Sequence, residues 1–174
     1  GGRYRLIDFV LSSMVNSGIP KVAVFAHTKY RSLTDHLGSG SNWDLHRKMS
    51  GLFVIPPAIE DQTDFGRGDL FHFYRNRDFF VRSPLDYVVI ARSHMVCNVD
   101  FVDVLNRHRE SGADITLVCK KTTEDEPGLA RKVRVDDTGR IVEMQDHFGR
   151  LNSDIISMEM YVLKSELLLD LVET

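Results

Sequence analysis

Residues 87–101, Y-V-V-I-A-R-S-H-M-V-C-N-V-D-F, decide how this chain is read. The stretch opens on a continuous apolar run, Tyr87 to Ile90, and closes on Asp100 ahead of a helix-like segment at 101–111. A buried parallel strand feeding a loop and then a helix has this pattern. In open α/β sheets the ligand lies beyond the carboxyl ends of the strands. Residues 91–96 are therefore where chemistry is expected. A strand end built for phosphoryl transfer offers a carboxylate to a metal ion, whereas this one carries Arg92, Ser93 and His94.

Upstream of that stretch, Asp8 is expected to cap a helix at 9–17, with Phe9, Val10, Leu11, Met14 and Val15 on its apolar face. Gly18 ends it. A strand at 22–26, a helix reaching residue 37, a flexible loop at 38–42 and a strand at 51–55 follow. Residues 58–65 are polar and irregular, and 68–81 has the pattern of one long helix. Downstream, 114–120 is a second buried strand. Residues 132–135 and 141–144 flank D-D-T-G-R at 136–140, a hairpin with glycine in the left-handed position. A strand at 156–163 and a helix at 165–173, capped by Ser165, complete the chain. This alternation implies one α/β domain, doubly wound around a mostly parallel, Rossmann-like sheet. No internal repeat and no second-domain boundary is visible.

The composition excludes several classes. The chain has 174 residues, 43% hydrophobic and 27% charged, with a net charge of −3. That balance gives no support for nucleic-acid binding, which wants a basic face. No apolar run is long enough for a bilayer, and no signal peptide is present, so a cytoplasmic setting is expected. Cys97 and Cys119 make no metal-ligand pattern, and Cys119 follows the apolar run 115–118, so it reads as buried and reduced. The chain starts Gly-Gly-Arg and stops within a helical pattern at Thr174, which reads as a fragment of a longer protein.

Local motifs carry little by themselves. Gly66-Arg67-Gly68-Asp69 precedes a helix and has the form of an anion-holding loop, a form equally common in plain turns. Ser93 and His94, adjacent on an extended chain, point to opposite faces and cannot make a nucleophile–base pair. The histidines have no zinc-ligand spacing.

A longer stretch is more specific. Residues 2–19, G-R-Y-R-L-I-D-F-V-L-S-S-M-V-N-S-G-I, resemble the bacterial ADP-glucose pyrophosphorylases, the glucose-1-phosphate adenylyltransferases. The resemblance continues through K-V-A-V-F-A-H-T-K-Y-R-S-L-T-D-H-L at 21–37, G-A-D-I-T-L-V-C at 112–119 and S-M-E-M-Y-V-L at 157–163. It implies a sugar-phosphate nucleotidyltransferase domain of the glycosyltransferase-A-like α/β type, truncated here. Family members carry a strand and a glycine-rich ATP loop ahead of the point where this sequence starts, and a β-helix domain behind it. Without that strand, sheet edges should be exposed.

The resemblance also implies that chemistry has been lost. Active members have G-T-A-D-A-V where this chain has Gly68, Asp69, Leu70, Phe71, His72 and Phe73. The glycine is kept, but the family aspartate becomes Phe71. Active members have S-G-D-H where this chain has Ala91, Arg92, Ser93 and His94. Ser93 thus stands for the aspartate that binds Mg²⁺, beside Arg92. Active members have E-K-P where this chain has Asp146, His147 and Phe148, so the sugar-phosphate lysine becomes His147. No catalytic residue, metal ligand or cofactor is therefore expected in this chain. The pattern resembles the regulatory, D-type subunit of the Gram-positive enzymes. It implies a catalytic adenylyltransferase subunit as partner and a nucleotide or sugar phosphate as effector. Two other readings stay open: an active adenylyltransferase with a rearranged site, and a stand-alone sugar-phosphate or nucleotide sensor.

Overall fold

Apolar residues at helical spacing settle the first element. In helix α1 (Leu6–Asn16), Ile7, Val10, Leu11 and Met14 share one face and are buried. The helix begins earlier than the sequence suggested, because Asp8 does not cap it from outside. Its carboxylate sits in the first turn and accepts the Arg5 backbone N–H at 2.9 Å. The computed structural model describes residues 4–27, 29–47, 50–57, 68–83, 85–122, 131–145 and 151–173.

Strand β1 (Val22–Phe25) pairs in parallel with β2 (Leu52–Ile55), Val22 opposite Leu52, with helix α2 (Tyr30–Leu37) between them in sequence. The expected flexible loop at 38–42 is a fitted turn. Gly40 has φ +78°, and a Cβ there would lie 2.9 Å from both the Leu45 carbonyl oxygen and the Leu52 Cβ. The expected single helix at 68–81 is two, α3 (Asp69–Arg75) and α4 (Arg77–Val81). Asn76 breaks the run: its φ of −117° leaves the helical region, and its side-chain amide donates to the His72 carbonyl at 2.9 Å.

The second sheet holds β3 (Tyr87–Ala91), β4 (Ile115–Lys121), β5 (Lys132–Val135), β6 (Ile141–Gln145) and β7 (Ile155–Lys164). Helix α5 (Phe101–Ser111) joins β3 to β4, capped by Asp100, whose carboxylate accepts the Val102 N–H at 2.9 Å. Helix α6 (Ser165–Glu173) follows β7, and Ser165 Oγ donates to the Leu85 carbonyl. The β5–β6 hairpin turns as expected, with Gly139 at φ +82°.

The α/β class holds, but a mostly parallel sheet does not describe these strands. Only β1–β2 is a parallel pair among the described residues. The cause is β7, which lies between β3 and β4 and runs antiparallel to both. Two separate sheets result, the pair β1–β2 and the five strands gathered around β7. The second correction concerns β3. It was expected to be buried, yet all five of its residues are only half-buried. Cys119 is likewise exposed rather than buried, next to a register shift in β4.

Helix α1 packs across both sheets. Its apolar face meets Val22 and Leu37 from the first unit and Phe101 and Met160 from the second. Two serines add polar ties. Ser17 Oγ accepts the Phe101 N–H at 2.8 Å, and Ser13 Oγ donates to the Cys97 carbonyl at 3.3 Å. A second cluster, Phe73, Leu163, Leu168 and Val172, packs against Phe25, Phe80, Val88 and Ile90. Among the described residues no helix is long and apolar enough to cross a membrane.

Candidate functional site

The carboxyl end of β3 lines one part of a cavity of about 550 Å³ between the two sheets. Arg92 is the first residue past the strand, and its N–H donates to the Glu159 carbonyl at 3.3 Å, continuing the ladder to β7. Its guanidinium reaches two carboxylates: Nη2 lies 3.2 Å from Asp69 Oδ2, and Nε lies 3.6 Å from Glu159 Oε2. His94 Nε2 approaches the same Glu159 oxygen at 3.8 Å. Helix α3, strand β3 and strand β7 thus meet in one ionic network.

Glu159 owes its place to an irregularity. The register of β4 against β7 slips between Val118 and Cys119, and Glu159 adopts φ +51°. A side chain other than glycine in that region costs on the order of 1 kcal/mol. The bend is fixed by Ser157 Oγ, which accepts the Glu159 N–H at 2.9 Å. The Glu159 side chain is 11% exposed, against 50% for Arg92 and 44% for Asp69. A nearly buried carboxylate needs a counterion, and Arg92 supplies it.

The residues anticipated from the sequence separate into three groups. Asp69, Arg92 and Ser93 line the same cavity, with Arg92 and Asp69 in direct contact. Gly68 is the exposed N-cap position of α3, with open space where a Cβ would be, and Phe71 is half-buried one turn further on. Asp146 and His147 lie outside the described residues. Glu159 was missed. Its signal was available: one carboxylate within the otherwise apolar M-E-M-Y-V-L.

These side chains do not fit a Mg²⁺ ion. A hard cation wants several oxygen ligands, carboxylates foremost. Here a guanidinium spans the two carboxylates, and the neighbouring side chain is the neutral Ser93. Among the described residues no group of three or more histidine, cysteine, aspartate or glutamate side chains could hold a metal. The arrangement does provide a self-satisfied ion network that ties α3 to the sheet.

The nucleotidyl transferase family matches residues 1–174. The glycogen biosynthesis protein GlgD of Geobacillus stearothermophilus is 47% identical over 172 residues, 98% of this chain and 40% of that protein. GlgD of Bacillus subtilis is 52% identical over 118 residues, 67% of this chain and 34% of that protein. The glucose-1-phosphate adenylyltransferase of Thermotoga neapolitana is 32% identical over 169 residues, 97% of this chain and 40% of that protein. The chain thus spans 40% or less of the length of these three relatives.

Proposed function

The chain belongs to the nucleotidyl transferase family, and from that premise we propose that it is part of a non-catalytic, regulatory subunit of glucose-1-phosphate adenylyltransferase in glycogen biosynthesis. One observation carries the reading: Arg92 is clamped between Asp69 and Glu159 at the end of the strand where the family resemblance calls for a metal-binding aspartate. Removing one preorganised group that stabilises transition-state charge typically costs about 10²–10³-fold in rate. On the family resemblance, Arg92 puts a cation in place of a small neutral residue and Ser93 a hydroxyl in place of a carboxylate. The likeness to two proteins named for glycogen biosynthesis supports the pathway.

On this reading the fold is kept for contact with a catalytic subunit, in the cytoplasm, with a nucleotide or sugar phosphate as effector and no metal of its own. The test uses the full-length polypeptide containing this chain. Purified alone, it should form ADP-glucose at least about 10²-fold more slowly than a catalytic relative. Mixed with its catalytic partner, it should raise the rate or shift the effector response. A partner rate and effector response unchanged by its presence would sink the proposal.

The 32% identity to an adenylyltransferase favours a second reading, an active enzyme joining ATP and glucose 1-phosphate. Turnover by the isolated full-length protein, unaltered by Ser93→Asp, would establish it.

A further inference from the structure

Asp69, Arg92, Ser93 and Glu159 all line the cavity, so a cation entering it meets the ion network. Two carboxylates there converge on one charge. Asp69 Oδ2 lies 3.2 Å from Arg92 Nη2, and Glu159 Oε2 lies 3.6 Å from Arg92 Nε. A guanidinium presents its donors in a fixed fork, so one side chain reaches both. The pairing leaves one negative charge in excess. The other basic group in contact is His94, 3.8 Å from Glu159 Oε2.

Glu159 is the costly member of the network. Its φ of +51° lies in a region that side chains other than glycine enter at a cost, and its side chain is 11% exposed. A carboxylate placed there is stable only with a cation against it. The cation that the chain supplies is tethered at two levels. The Arg92 backbone N–H donates to the Glu159 carbonyl at 3.3 Å, and the Arg92 side chain meets the Glu159 carboxylate.

We propose that Arg92 is a tethered counterion, standing in for a free divalent cation between Asp69 and Glu159 and keeping such ions out of the cavity. Guanidinium and divalent cations compete for the same carboxylate oxygens. The tether decides the competition, since a linked group acts at an effective concentration on the order of millimolar. Its charge also repels a second cation a few ångströms away. Ser93 adds no charge to offset that repulsion. The same contact sets helix α3. Asp69 is the first residue of α3, so the charge that excludes the ion also pins the start of this helix to β3 and β7. The lock stands on the ion network alone and is independent of any regulatory role of the full-length protein.

The test measures Mn²⁺ binding by electron paramagnetic resonance, on the full-length polypeptide containing this chain. The unsubstituted protein and Arg92→Lys, which keeps a tethered charge, should bind no Mn²⁺ in the cavity. Arg92→Ala should acquire a Mn²⁺ site at least about tenfold tighter than any in the unsubstituted protein, and Mn²⁺ should raise its Tm. Adding Glu159→Gln should abolish both gains. Circular dichroism checks the fold. If Arg92→Ala does not fold, Arg92→Gln, which keeps a polar stem without the charge, takes its place and is read in the same way. No gain on removing the charge overturns the proposal. So does a gain that survives Glu159→Gln, which puts the ion elsewhere. Equal binding by the unsubstituted protein overturns it too, because Arg92 then gives way to the ion. The partner's rate and effector response, measured separately, decide the regulatory reading.

Discussion

Strands β3 and β7 are both apolar, yet they are buried to different degrees. Strand β7 has a partner on each edge, and its Met160 and Val162 are fully inaccessible. Strand β3 carries Tyr87, Val88, Val89, Ile90 and Ala91, as hydrophobic a run as the chain contains, and every one of them is half-buried. The difference is one neighbour. Hydrophobic composition sets what a strand can bury, while pairing on both edges sets what it does bury.

Truncating each strand in turn separates the two cases most directly. Met160→Ala should cost about 2–4 kcal/mol, since a fully enclosed site leaves a cavity. Val89→Ala should cost about 1 kcal/mol in the same 174-residue chain. Urea midpoints at unchanged m-value measure both. Equal losses would mean that β3 is as enclosed as β7 in solution.

The ion network joining the two strands gives the next effect. Arg92→Ala should destabilise by about 1–2 kcal/mol, because Glu159 loses its guanidinium in a nearly buried position. Asp69→Asn should cost less than about 1 kcal/mol, as both partners of that pair are close to half exposed. Glu159→Gln in the Arg92→Ala background should restore most of the loss, and a double-mutant cycle in urea reads the coupling. Additive losses would show that the network contributes nothing as a unit.

The smallest effect is pH dependence at the other end of β3. His108 is buried against Thr116 and the ring of Tyr87. Burial pushes its pKa down, and the charges of Lys164 and Arg109 push the same way, opposed by Asp114. The folded state therefore resists protonation that the unfolded chain accepts. This contribution to stability is present above about pH 6.5 and is lost as pH falls below it. His108→Gln should flatten that part of the stability–pH curve. An unchanged slope would mean that His108 titrates normally.

Much of the fold was legible because its elements are locally consistent. Asp100 caps α5, and D-D-T-G-R turns the β5–β6 hairpin as its residues require. Strand direction was not legible. Nothing in I-I-S-M-E-M-Y-V-L says that β7 inserts antiparallel between β3 and β4, a long-range choice made by packing. The site was half legible. Asp69, Arg92 and Ser93 were found by their position after glycine or strand. Glu159 escaped because a bulge, set by the slip near Cys119, turned a strand residue toward the cluster. The break at Asn76 was hidden by a helical apolar pattern that runs through it.

The serine ties of α1 have a consequence in time. Ser13 and Ser17 bond to residues 84 positions away in the chain, and the apolar face of the same helix meets Met160. The hairpin β5–β6, by contrast, closes over a five-residue turn. Contacts that close long loops form late, since the loop's entropy is lost before the contact returns anything. The β5–β6 hairpin should thus form early and the α1 ties only after the rate-limiting step, so that substitutions at Ser17 mainly speed unfolding and leave the folding rate nearly unchanged.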